Sequence, residues 1–423
     1  MKKLLAIASA TILLVLVVFT IISCIKPVTD WGKPTAEILP VPCDFTFRMN
    51  EIECLRKGVN PFDVWHADIE MAPYYPNNRP DLRREGFTEP INAYAPWEYT
   101  LMMPLSFLPR KVAWGVYLCF MFFCLYIMIA FGYMTGKKLR NDIWDGVFCA
   151  TVPVMLLYYP IWSNFCIGNL MVPVIAALVG MLWCLDRKYD VLAGLCWALA
   201  SVKPQAVILF VIPLLWRRKF VTCLVAAGTC LLLSIPPAVL CKTSIVTLIL
   251  QTPAANTFGF YGCGTFPYFI CTGPGDIYGI AMGLIIGIVV CVVMTWLIRK
   301  EPDWVVFVAP TAVCSMCWTY VQVYSHALGW FFVLILFVVG VRESRMSAVL
   351  AFILSATPFL GRLYMAAYKL ITTIGCFQVA NEYVNYTHYV VDTVWSTMSL
   401  LLALGFFVFA SNRKGRLEFN SKR

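Results

Sequence analysis

Charge is what this sequence has least of. Asp, Glu, Lys and Arg make up 13% of its 423 residues, against about 25% in soluble proteins. So little polar surface cannot cover a water-facing globule of this length, which excludes a soluble enzyme. Histidine is scarcer still: His66, His326 and His388 are the only three. None stands with cysteines at zinc-ligand spacing, so no metal site is expected. No P-loop, Gly-x-Gly-x-x-Gly turn or haem motif occurs either, so no nucleotide or cofactor site is expected.

Apolar residues take the place of charge. They form 60% of the chain, and the mean hydropathy is +0.75. Several runs approach the ~20 residues a helix needs to cross hydrocarbon. The expected class is an all-α polytopic membrane protein with about twelve transmembrane helices. The net charge of +10 sits at the ends of apolar runs, where it marks topology; no nucleic acid is expected. Most of the 18 cysteines, Cys119, Cys124, Cys149, Cys184 and Cys291 among them, lie inside apolar runs as small fillers. Cys43 with Cys54, and Cys263 with Cys271, are the pairs for which a disulfide stays open.

The first expected span covers residues 4–24. It is read as a retained helix, because its apolar stretch exceeds the 7–15 residues usual in a signal peptide. Residues 25–96 form the longest polar segment, and a proline-bounded segment at 96–109 is expected to lie at the interface. Further spans are expected at 111–134, 144–159, 170–185, 220–240, 277–298, 304–321, 327–341, 346–366 and 390–410. Between them, residues 191–202 and 204–216 are apolar but short. Two short helices meeting at Lys203-Pro204 predict a hairpin that stops inside the protein and lines a cavity.

Lysine and arginine in short loops set the orientation. With the N-terminus inside, Lys2-Lys3, Lys137-Lys138, Arg140, Arg187-Lys188, Arg217-Arg218-Lys219, Arg299-Lys300, Arg342, Arg345 and five tail residues all fall inside. They are 19 of the 33 basic residues. The reading is a single membrane domain over 1–423 in an inner (plasma) membrane. Both termini are then cytoplasmic, with a first extracytoplasmic loop at 25–96 and a basic cytoplasmic tail at 411–423. That tail can meet anionic lipid. The long loop, the Lys203 tip and the segments after 240 and 366 then share the outer face.

Motifs follow one another on that face. Asp44-Phe45 precedes Gly58-Val59-Asn60-Pro61-Phe62-Asp63, then Tyr94-Ala95-Pro96-Trp97-Glu98-Tyr99, with Pro104-Leu105 and Leu108-Pro109. Ile167-Gly168-Asn169, Ala193-Gly194, Ala200-Ser201-Val202-Lys203-Pro204 and Ser315-Met316-Cys317-Trp318-Thr319-Tyr320 come later. In order, these resemble the pattern of glycosyltransferase family 87, polyprenol-phosphate-mannose-dependent α-mannosyltransferases of the GT-C fold. The resemblance spans roughly residues 30–335. An asparagine stands for the family's glutamine near 168, and Tyr320 stands where the family has a histidine, with His326 further along.

The resemblance implies transfer of a hexose, mannose in the family, from a polyprenyl-phosphate-sugar donor to an extracytoplasmic glycan or lipid acceptor. It implies a GT-C architecture with a catalytic first loop, and Asp44 as the base toward the acceptor hydroxyl. A carboxylate with an ordinary pKa near 3.9 is ionised at neutral pH, and one base suits one inverting displacement. A solvated loop aspartate or a helix cap is the other role open to Asp44. Lys203 either holds the donor phosphate or snorkels to the interface. Asn60, Asp63, Tyr94, Trp97, Glu98, Asn169, Tyr320 and His326 complete the candidate substrate and donor site. Asp63 can instead serve only its turn, and the aromatics can serve only the interface. His326 can be a satisfied buried histidine.

A transporter, lipid flippase or polymerase is the competing class. The chain lacks the paired interrupted helices common in transporters, and its large loop comes early rather than late.

Overall fold

In the computed structural model, residues 28–29, 33–34, 41–62, 94–139, 159–259, 277–316, 318, 323–329 and 331–332 are described. Among them the protein is helical, apart from a small antiparallel ladder of β1 (Val28–Thr29) and β2 (Lys33–Pro34). Its register pairs Val28 with Pro34 and Thr29 with Lys33.

Helix α1 (Cys43–Arg56) lies inside the segment read as a polar loop. Its apolar residues give the reason: Phe45, Met49, Ile52 and Leu55 are buried at helical spacing. It begins after extended Pro42, with Asp44 in its first turn and Arg56 in its last, each at the end the helix dipole favours. It stops at Gly58, whose φ of +77° closes a turn in which Val59 N–H reaches the Cys54 carbonyl. Cys43 and Cys54 stand eleven residues apart on this helix, about 16 Å at the α-helical rise. A disulfide cannot bridge that distance, and Cys54 is a buried free thiol. Cys263 and Cys271 lie outside the described residues.

Helix α2 (Pro96–Met102) runs into a 3-10 turn, Met103–Phe107, and then α3 (Arg110–Leu139). Next come α4 (Tyr159–Ile167) and α5 (Met171–Asp186). The short pair is α6 (Asp190–Ala200) followed by α7 (Pro204–Val207), a 3-10 turn and α8 (Val211–Trp216). Then follow α9 (Phe220–Leu240), α10 (Ile245–Gly259), α11 (Ile277–Leu297) and α12 (Trp304–Cys314). A last 3-10 turn spans Val323–His326.

Two further elements differ from expectation. The loop expected after residue 240 holds α10, started by Ser244, whose hydroxyl accepts from Thr247 N–H at 3.0 Å. The span expected over 304–321 stops as a helix at Cys314. The chain leaves it to seat Trp318 against Gly287, where an added Cβ would lie 2.6 Å from Trp318 Cβ. The Trp318 indole N–H then donates to the Gln205 carbonyl at 2.9 Å.

Helix α5 is buried on nearly all sides, packed between α3 and α6, while α6 packs on α9 and α9 on α2. Gly194 lets α6 and α9 close up: a Cβ there would meet Thr222 O at 2.8 Å. Helix α9 contains Pro236 and Pro237. Pro237 has no N–H to give the carbonyl four residues back, Leu233. Thr100 of α2 supplies the missing donor, its hydroxyl 2.5 Å from Leu233 O.

Among the described residues, Arg110–Thr135 and Phe220–Leu240 are long and apolar enough to cross a membrane, and most of each is unburied. Leu224, Leu232 and Val239 on α9 and Phe123 and Tyr126 on α3 stand largely exposed. Water does not tolerate apolar faces of that extent; this is a membrane protein. The expected spans at 4–24, 144–159, 327–341, 346–366 and 390–410 lie wholly or largely outside the described residues.

Candidate active site

Helix α4 ends at Gly168, in the left-handed region at φ +74°. There Asn169 N–H returns to the Asn164 carbonyl at 3.0 Å. A Cβ at 168 would fall 2.9 Å from Phe45 Cβ, so glycine is needed both for the turn and for the approach of α1. This junction places Asn169, which is fully buried, one residue after the turn and opposite Asp44.

Asn169 organises what surrounds it. Its Nδ2 donates to Asp44 Oδ2 at 2.8 Å and to Tyr94 Oη at 2.9 Å. Its Oδ1 accepts from Met171 N–H at 3.1 Å and from the Lys203 ammonium at 3.2 Å. The amide is therefore oriented: the nitrogen faces the carboxylate and the oxygen faces the ammonium. Lys203 is 2% exposed. It reaches this position from the turn between α6 and α7, and also donates to Ser325 Oγ at 3.2 Å. Asp44 is only partly buried, the one of these charged groups left accessible.

Arg48, one helical turn after Asp44, lies 3.0 Å over the Tyr94 ring and pairs with Glu98 Oε1 through Nε at 3.1 Å. Both side chains are buried. Burial pushes the Glu98 carboxyl up to about 8, outweighing the opposing pull of Arg48. Burial also disfavours charge on Arg48, but Glu98, Tyr94, Glu51 and Asp44 outweigh it and hold the guanidinium more firmly cationic than usual.

Of the residues expected at the site, Asp44, Tyr94, Asn169 and Lys203 thus share one hydrogen-bonded cluster, with Glu98 joined through Arg48. His326 follows Ser325 directly and is 1% exposed. Neither of its ring nitrogens has a hydrogen-bond partner among the described residues. Trp97 and Asn60 brace the framework. The Trp97 indole donates to Ser201 O at 2.9 Å, fixing the turn that carries Lys203. Asn60 bonds Gln251 at 3.1 Å and accepts from Phe62 N–H. Asp63 and Tyr320 lie outside the described residues. Sequence reasoning missed Arg48, Glu51 and Ser325. Asp44 and Arg48 stand at i and i+4, a legible signal once the segment is read as a helix.

No group of His, Cys, Asp and Glu able to hold a metal occurs among the described residues. The cluster offers a partly buried, still accessible carboxylate joined through Asn169 to a buried cation. That combination can take a proton from one ligand and hold an anion of another.

No curated protein matches the sequence. A family model does, "Glycosyltransferase family 87", over residues 92–321, more than half of the chain. The matched stretch carries Tyr94, Glu98, Asn169 and Lys203; Asp44 precedes it and reaches it through the Asn169 amide, and Arg48 reaches it through Tyr94 and Glu98. This helical membrane chain, with its buried Asn169–Lys203 cluster, belongs to glycosyltransferase family 87.

Proposed function

We propose that this glycosyltransferase moves a hexose, mannose by the family likeness, from a polyprenyl-phosphate carrier to a glycan or lipid acceptor on the extracytoplasmic side, with inversion. The observation that carries the reading is the Asn169 amide. Its two ends hold Asp44 and Lys203 in one hydrogen-bonded unit.

In this reading Asp44 takes the acceptor's hydroxyl proton. The freed oxygen attacks the anomeric carbon from the face opposite the phosphate. The carbon–oxygen bond to phosphate breaks, and polyprenyl phosphate leaves with the electron pair. Lys203 meets the charge on the departing phosphate. Ser325, which accepts from that ammonium, and its neighbour His326 complete the anion's surroundings. A sugar phosphate is already activated, so no general acid is required.

The full architecture belongs to the same proposal: about twelve spans in an inner membrane, both termini cytoplasmic, and the loop at 25–96 facing outwards with α1 in it. Family membership favours transfer chemistry over the transporter, flippase or polymerase reading.

The test is transfer by purified protein in lipid, using labelled β-mannosyl-phosphate-polyprenol beside glucosyl and galactosyl donors, with the product's anomeric configuration read by NMR. An α-linked mannoside supports the proposal. A β-linked product refutes inversion, and transfer of another hexose alone refutes mannose.

A further inference from the structure

Away from the Asn169 cluster, a cavity of about 270 Å³ opens between the end of α1, the 3-10 turn and the start of α3. Arg56, Lys57 and Arg110 line it, with Glu53 as the one carboxylate among its described lining residues and Leu105 and Leu108 among its apolar walls. We propose that this cavity binds the phosphate head group of an anionic diacyl phospholipid, with the acyl chains lying down α3.

The charge balance comes first. Glu53 pairs with Lys57 at 2.9 Å and stands 3.9 Å from Arg110. Arg56 has no carboxylate partner among the described residues. It donates to Ser106 O at 2.8 Å and lies 4.5 Å from the centre of the Phe107 ring. Arg56 thus brings to the cavity a guanidinium that no carboxylate among the described residues answers, and guanidinium groups suit phosphate oxygens.

Depth comes second. From Arg110 to Lys137, α3 rises about 40 Å, close to the ~40–45 Å of a bilayer with its head groups. A cavity at the Arg110 end therefore sits at head-group level, where phosphate is found.

The walls come third. Leu108, Val112, Val116 and Phe120 are exposed large apolar residues spaced four apart, continuing from the cavity mouth down α3. Phe107, 68% exposed, stands beside the mouth. A ligand with an anionic head and long apolar tails matches both halves; a free anion matches only one.

The cavity is also tied to the catalytic helix. Arg110 donates to Thr46 O at 3.0 Å and to Asn50 Oδ1 at 3.2 Å. It thus grips α1 on either side of Arg48 and two residues past Asp44. A head group bound here bears on the position of the helix that carries Asp44.

The experiment uses the full chain in detergent with short additions of lipid, read by native mass spectrometry and thermal melting. The lipid probes are dioleoyl phosphatidylglycerol and dioleoyl phosphatidylcholine, with glycerol 3-phosphate and polyprenyl phosphate as two further arms. Wild-type protein is expected to retain phosphatidylglycerol at least fivefold more than phosphatidylcholine and to melt higher with it. The double variant R56Q/K57Q is expected to lose that preference while melting as wild type does in phosphatidylcholine. R56K/K57R is expected to restore it. Equal retention by wild type and R56Q/K57Q overturns the proposal. So does equal protection by glycerol 3-phosphate, which makes the site one for a free phosphate. Displacement of phosphatidylglycerol by equimolar polyprenyl phosphate overturns it too, by assigning the cavity to the donor carrier.

Discussion

Asn169 gives one amide nitrogen to two partners, Asp44 Oδ2 at 2.8 Å and Tyr94 Oη at 2.9 Å. Aspartate at 169 has no N–H to offer and sets a second carboxylate against Asp44. Asn169→Asp is expected to lower turnover at least 100-fold. Asn169→Ala is expected to cost about 1–3 kcal/mol of stability as buried polar groups lose their partner. Turnover and melting of the two variants check this.

The Lys203 ammonium is buried between Asn169 and Ser325. Lys203→Met removes the cation next to Asp44 and is expected to weaken use of the donor, as kcat/KM, by about 10²–10³. Lys203→Arg is expected not to restore it, because a planar fork cannot replace a compact ammonium in that space. A wild-type donor kcat/KM in either variant removes Lys203 from phosphate binding.

Glycine at 168 answers both a positive φ and the Phe45 side chain. Gly168→Ala is expected to cost about 1–3 kcal/mol through backbone strain and displacement of α1. Because Phe45 neighbours Asp44, turnover at a temperature where the variant is fully folded should fall as well. Unfolding in denaturant and a rate at low temperature separate the two effects.

Glu98 predicts a pH dependence. Burial raises its carboxyl in the fold from 4.5 to about 8. Between those values the folded state holds a proton that the unfolded state has released. Stability through this group is therefore complete below about 4.5 and is lost as pH rises toward 8. The slope is at most about 1.4 kcal/mol per pH unit. Glu98→Gln is expected to flatten that part of the melting-versus-pH curve. An unchanged slope contradicts the assignment.

The Thr100 hydroxyl serves the Leu233 carbonyl that Pro237 leaves without a donor. Thr100→Val keeps the shape and removes the donor. It is expected to cost about 1–3 kcal/mol with the donor KM unchanged, measured by unfolding and by transfer kinetics.

Much of this was legible in the sequence. The α9 span is legible at 220–240, because a long apolar run follows the basic Arg217-Arg218-Lys219 cluster. The break at Lys203-Pro204 was legible because proline bars the preceding turn from continuing. Helix α1 is not, because its charged residues lower the average hydropathy of the segment and mask the helical period of Phe45, Met49, Ile52 and Leu55. Nor was Arg48: its partners Tyr94 and Glu98 lie some fifty residues away in sequence, and only the fold brings them together. The sequence puts Trp97 and Asn60 among the candidate substrate and donor residues; their hydrogen bonds to Ser201 and Gln251 are long-range framework contacts that no local pattern announces.

The central claim is that Asp44 is the base. Asp44→Asn keeps an oxygen able to accept from Asn169 but loses the basicity. The decisive measurement is transfer of labelled mannose from polyprenyl-phosphate-mannose by wild type and by this variant, both shown to melt alike. The account predicts a fall of about 10²–10⁴ with donor binding retained. Equal rates in the two proteins would contradict it and remove Asp44 from the chemistry.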